Sequence, residues 1–208
     1  MPVALIDSGA FAAYQKGECV VWERVFQKYE SVIQMTAKPE GLSIVAPDVI
    51  GDQVGTLKLW NEHAVRVRRW IDQGVRVIVP LQRGHLSAAE MLALAKQTFG
   101  TDRFCAGIPS NLEAMSAEDC STLYHPDFHI LGRVILTDEL ETKLGALKLN
   151  NPHANYTADA NWLRSRTRKI SIEASTLPPD RSPGLGDTKR TRAVRNILQQ
   201  EAYFSLLA

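Results

Sequence analysis

Three carboxylates and one carboxamide stand at the same kind of place in this chain. Asp7, Asp48, Gln82 and Asp159 each follow an apolar, strand-like run and open a polar or glycine-containing stretch. Val3-Ala4-Leu5-Ile6 leads into Asp7-Ser8-Gly9-Ala10-Phe11, and Leu42-Ser43-Ile44-Val45-Ala46-Pro47 into Asp48-Val49-Ile50-Gly51-Asp52. Val75-Arg76-Val77-Ile78-Val79-Pro80-Leu81 leads into Gln82-Arg83-Gly84, and Asn155-Tyr156-Thr157-Ala158 into Asp159. Carboxylates are the groups of general acid–base and nucleophilic catalysis, and an amide beside them can read a ligand's donors and acceptors. Gathered at one mouth, the four would make an active site.

What gathers them is a fold in which strand ends converge. Short apolar runs separated by helical stretches predict parallel strands in βα units, whose C-terminal ends open onto one face. The spacing predicts helices over residues 19–35, 56–71, 137–147 and 188–207. Another starts at Ser87, with Glu90 three residues on, and stops at Gly100; Gly74 ends the helix before the third strand. Further strands are expected over 103–109, 128–133 and 155–158, with a seventh over 169–174, and a helix start at Ser116. No G-x-G-x-x-G follows the first strand, so dinucleotide binding has no support. Polar residues at nearly every strand end favour a TIM-like (β/α) barrel over a doubly wound sheet. At 208 residues, against a typical barrel of about 250, it is expected to be incomplete, shortened at its N-terminus or closed by another chain. The expected organisation is a barrel-like catalytic domain over 1–175, a mobile Pro/Gly-rich loop over 176–187, and a basic amphipathic helix over 188–208 packed on the same domain.

Composition narrows the class further. Hydrophobic content of 45% and charged content of 23% are those of a globular protein. The net charge of +1 gives no global attraction to nucleic acid. From Asn161 onward, however, nine Lys/Arg face four acids, so the C-terminal quarter is basic and the remainder mildly acidic. Arg164, Arg166, Arg168 and Lys169 are the densest part of that footprint, either a solvated face or a phosphate contact. Cys19, Cys105 and Cys120 are odd in number and lack C-x-x-C spacing, which argues against a disulfide framework and a zinc knuckle. His63, His85, His125 and His153 show no H-x-x-x-H or H-x-H pairing among themselves and His129 sits within an apolar strand, so no metal is expected, and no cofactor either. With no membrane-length apolar run and no signal-peptide pattern, a reducing cytoplasm is the expected compartment.

The ordered motifs resemble a known family. Asp7-Ser8-Gly9-Ala10-Phe11 resembles the D-S-G-G-F segment of tRNA-guanine transglycosylases, and more closely the D-S-G-A-F form of their relatives that insert 7-deazaguanines into DNA. Pro47-Asp48-Val49-Ile50-Gly51-Asp52, Leu81-Gln82-Arg83-Gly84, Gly107-Ile108-Pro109-Ser110-Asn111 and His129-Ile130-Leu131-Gly132-Arg133 follow in the family's order. The likeness covers about residues 3–165, and the ordered set is more specific than any one motif. It implies base exchange at a nucleoside C1′: an Asp attacks C1′, guanine leaves, and a 7-deazaguanine displaces the enzyme. By position, Asp159 is similar to the nucleophile and Asp7 to the acid/base. Asp48 and Gln82 resemble the residues that hold the base, and Gly107 lies on the strand whose backbone lines the pocket. Ser8, Gly9, Phe11, Asp52, Gly84 and Arg133, inside the same motifs, are candidate substrate contacts. The zinc-binding subdomain of the tRNA enzymes is absent, which together with the D-S-G-A-F form favours DNA over tRNA. The implied partners are nucleic acid, a guanine or 7-deazaguanine base, and a second copy or another chain that completes the barrel; no membrane partner is expected. A non-catalytic subunit of the same shape, or an N-glycosidase cleaving the same bond, are the alternatives.

The same residues also admit plainer readings. Asp7 before Ser8-Gly9 suits a turn. Asp48 and Asp52 both precede the second predicted helix and could cap it, and Asp159 could cap a helix beginning at Ala160. Gln82 could satisfy backbone groups at a strand end. His129, Cys105, Trp22, Trp60 and Trp70 are expected in the core, as is Trp162, unless it stacks on a base.

Overall fold

The computed structural model describes residues 4–111, 113–132 and 137–158, all within a compact unit that spans Met1–Asp159 and is followed by a second, Ala160–Ala208. Arg133, Asp159, Arg164, Arg166, Arg168 and Lys169 lie outside the described residues, as do the predicted seventh strand, the Pro/Gly-rich loop and the C-terminal helix.

Among the described residues six strands build the sheet: β1 (Ala4–Ile6), β2 (Leu42–Val45), β3 (Arg76–Pro80), β4 (Cys105–Pro109), β5 (Asp127–Leu131) and β6 (Asn155–Ala158). Every neighbouring pair is parallel, and the order across the sheet is the order along the chain. A doubly wound sheet reverses its order at a switch point; this one does not, and it curls into a half-barrel.

Period-two alternation divides the strands between two environments. Ile44, Val77, Val79, Ala106, Ile108, Phe128 and Ile130 face the helices and form the core with Phe26, Tyr29, Trp60, Val67, Trp70, Met91 and Phe99. The intervening Ser43, Arg76, Ile78, Cys105, Gly107, Asp127, His129 and Thr157 line the opposite, concave face. Arg76 spans it, donating to both carboxylate oxygens of Asp127 at 2.6 and 2.7 Å, to Cys105 Sγ and to Thr157 Oγ1. Arg76 and Asp127 begin their strands, so this polar cluster closes the N-terminal end of the curl and leaves the C-terminal end to the site.

Six helices connect the strands: α1 (Ala10–Lys16), α2 (Trp22–Met35), α3 (Gln53–Asp72), α4 (Ala88–Phe99), α5 (Ala117–Ser121) and α6 (Asp138–Asn150). Ser87 and Glu90 form the predicted capping box, Gly100 closes α4 in the left-handed conformation, and Ser116 pairs with Asp119 in a second box. Trp60 and Trp70 are fully buried, and Trp22 packs against the core edge. Helix α1 is not predicted by periodicity, because only Ala10 of its residues is buried. Helix α3 begins at Gln53 rather than Thr56, since its cap is Asp52. Among the described residues no helix is long and apolar enough to cross a membrane.

Candidate functional site

The loop after β2 and the loop after β3 meet through two side chains. Asp48 is 7% exposed, and its Oδ2 accepts from Gln82 Nε2 at 2.8 Å. Gln82, itself 9% exposed, accepts from the Gly51 backbone N–H through Oε1 at 3.1 Å. The amide is thereby oriented: an N–H donor needs the oxygen, so the NH2 group faces the carboxylate. Burial pushes the Asp48 carboxyl up to about 7; the Gln82 hydrogen bond opposes this, and the charge of Asp7 adds to it. Tyr29, 1% exposed, feels both acids as well, its phenol raised first by burial and further by Asp7 and Asp48. Asp48 and Gln82 therefore meet beyond the C-terminal ends of β2 and β3, with the charge of Asp7, after β1, acting on Asp48.

Asp7 is exposed directly after β1, and its Oδ1 accepts from Gly9 N at 3.2 Å. Ser8 Oγ takes the Ala10 N–H at 3.2 Å, and Gly9, at φ +77°, turns the chain into α1. The turn reading of Asp7 is thus realised, with its second carboxylate oxygen free of any partner among the described residues. Phe11 stands on the first turn of α1, 53% exposed.

No family model matches the chain, and no curated protein matches it.

The two acids after β2 separate cleanly. Asp52 is exposed and caps α3, its Oδ1 accepting from Gly55 N at 2.9 Å; Asp48 does no capping and is turned inward onto Gln82. Gly84 lies against Gln53, where a Cβ would come within 2.5 Å of that side chain. Gly107 is buried on the concave face, where a Cβ would stand 2.7 Å from Leu131 Cδ1 and 3.1 Å from Pro80 Cα. Its carbonyl accepts from Leu81 N at 2.9 Å, which ties β4 to the exit of β3. His129 lies on the concave face rather than in the helix-side core; it is 3% exposed and shares a 2.8 Å hydrogen bond with Thr157 Oγ1. Cys105 is fully buried, its Sγ accepts from Arg76, and burial pushes its thiol far up, away from the reactive thiolate form.

Two residues at the site gave no signal in the sequence. Gln53, 2% exposed, reaches from the start of α3 into the loop after β3. Lys143, on α6, is fully buried and donates to Pro109 O at 2.8 Å and Asn111 O at 3.1 Å, at the exit of β4. Burial holds its ammonium below the usual lysine range. Each makes its contacts about thirty residues away in the chain, a relation that local spacing does not carry. Among the described residues no group of three or more His, Cys, Asp or Glu is arranged to hold a metal ion.

Proposed function

We propose that this protein is a transglycosylase of the guanine/7-deazaguanine type, acting on nucleic acid with DNA preferred over tRNA, on a TIM-barrel-like scaffold. The observation that carries the proposal is the buried Asp48–Gln82 pair at the strand ends, with the amide turned so that its NH2 group faces the carboxylate. Guanine presents two donors, N1–H and N2–H, and one acceptor, O6. An ionised Asp48 accepts the donors, and the remaining N–H of Gln82 suits O6. A carboxyl poised near neutrality ionises readily once donors are brought to it.

In this reading Asp159, which follows the last residue of β6, attacks C1′ of the flipped-out nucleotide. The C1′–N9 bond breaks, its electron pair leaves with guanine, and Asp7 supplies a proton to the departing base. A covalent Asp159–C1′ ester remains. Asp7 then removes a proton from the incoming base, whose nitrogen attacks C1′ and expels Asp159. The phosphate contact in this reading rests on sequence alone, in the basic run Arg164, Arg166, Arg168 and Lys169.

The test is incorporation of labelled guanine into duplex DNA, single-stranded DNA and bulk tRNA, with Asp7→Asn and Asp159→Asn alongside. Label in one polymer and in neither variant is expected. Full activity in Asp159→Asn would remove the mechanism, and free guanine without incorporation would indicate an N-glycosidase. A second reading, a non-catalytic subunit that pairs with another chain, draws on the edge strand β1, where Leu5 is 42% exposed. Absence of label from a folded protein would favour it, and a monomer by light scattering would count against a second chain completing the barrel.

A further inference from the structure

Gln53 occupies the first position of α3, where a polar side chain ordinarily turns to water. Here it is 2% exposed and its amide is engaged with backbone throughout. Nε2 donates to Gln82 O at 2.9 Å and to Leu86 O at 3.1 Å, while Oε1 accepts from Leu86 N at 2.9 Å. One amide therefore holds both ends of the loop that runs from Gln82 to Leu86. Gly84, at the middle of that loop, lies over it; a Cβ there would sit 2.5 Å from both Cβ and Oε1 of Gln53. Only glycine lets the loop close down on the amide. Asp52, the neighbour of Gln53, fixes the helix start by capping Gly55, so the anchor is rigid.

We infer that Gln53 is a positioning residue that holds Gln82 against Asp48, with Gly84 as the clearance that lets it do so. The loop's first residue is Gln82, whose own amide bridges Asp48 and Gly51. Asp48 and Gly51 belong to the segment that runs into Gln53 along the chain, so Gln53 closes the circuit: segment, helix start, loop and amide return to Asp48. Besides Gln53, the side-chain contacts of this loop among the described residues are those of the Gln82 amide itself and the exposed Arg83 contact to Glu113 O, neither of which ties Gln82 to the start of α3. The value of this placement to catalysis rests on the base-reading role proposed above; the geometry does not.

The experiment reads Asp48 itself. Its carboxyl titration is followed by carbon NMR in the wild type, Gln82→Ala, Gln53→Ala and Gly84→Ala, and guanine affinity is measured calorimetrically on the same four proteins. Groups facing Asp48 are Gln82, Asp7 and Tyr29, and only Gln82 is disturbed by these changes. Gln82→Ala removes the hydrogen bond that favours the ionised form, so Asp48 titrates at higher pH. Gln53→Ala is expected to move it the same way by roughly half as much or more, and to weaken guanine binding about tenfold. Gly84→Ala approaches from the loop side and gives the same result, which keeps the test in force if Gln53→Ala does not fold. Asp48 titrating as in the wild type in both folded variants, while Gln82→Ala moves it, overturns the inference. A wild type that binds no guanine overturns the base-reading proposal instead, and the titrations then decide the placement of Gln82 on their own.

Discussion

Replacing Asp48 by asparagine should make the protein more stable as the pH rises. Burial lifts the Asp48 carboxyl from 3.8 to about 7, so the charged form inside the fold is disfavoured by about 4 kcal/mol, at about 1.4 kcal/mol per tenfold change in acidity. The folded pKa is the higher one. Between pH 4 and 7, roughly, the unfolded chain has released this proton while the folded chain keeps it, so stability falls as the pH rises through that window and is level on either side. Asparagine has no proton to release, and its carbonyl oxygen can still accept from Gln82 Nε2. Urea unfolding of the wild type and Asp48→Asn at half-unit steps from pH 4.5 to 8.5 measures the difference. The variant's advantage should grow by about 2–4 kcal/mol across the series and level off above neutrality. At pH 8, where it is the more stable protein, it should bind no guanine, because with its carbonyl oxygen kept on Gln82 the asparagine turns an NH2 donor toward the base's own N–H donors. Two unfolding series that run parallel in pH would refute the buried, proton-retaining Asp48 on which the site reading stands.

Three further outcomes follow from the same geometry. Asp52→Ala should lower stability by about 1 kcal/mol through loss of the α3 cap and leave guanine affinity unchanged; a large loss of affinity would return Asp52 to the binding site. Gly107→Ala forces a methyl to within 2.7 Å of Leu131 and 3.1 Å of the Pro80 backbone, and should cost about 1–3 kcal/mol in chemical unfolding; a neutral result would mean the concave face is looser than described. Lys143→Met removes the donor shared by Pro109 O and Asn111 O, and should cost about 2 kcal/mol and speed hydrogen exchange in 109–115 ahead of the rest of the chain; uniform exchange would show that the lysine does not pin this exit.

The sheet was legible because its strands announce themselves. Apolar runs bounded by Gly, Pro and Asp mark β2 and β3, and even the weaker Asn155-Tyr156-Thr157-Ala158 coincides with β6. Capping chemistry was equally local, as Ser87 with Glu90 and Ser116 with Asp119 demonstrate. Helix α1 escaped notice for the opposite reason: with a single buried residue it has no apolar stripe. At the site, sequence singled out Asp48 and Gln82 and made capping the stronger reading for Asp52 than for Asp48, without showing where either side chain turns. What distinguishes them is direction, since Asp52 turns along its own helix and Asp48 turns across to another strand's loop. Gln53 and Lys143 look like ordinary polar helix residues, and only the approach of a distant loop gives each its task.

Because each described strand pairs with its neighbours in chain order, no pairing among these six strands waits for a distant part of the polypeptide. A growing chain can add one strand and its covering helix at a time, each new unit templated by the edge already formed, so the sheet can assemble in the direction of synthesis. The candidate site does not share that freedom. Asp7 emerges early, while Gln82, which holds the buried acid in place, arrives only after the third strand. A ribosome-bound intermediate halted after β2 would therefore expose Asp48 to solvent and ionise it at ordinary pH, and the acid's high pKa would first appear when the loop after β3 closes over it.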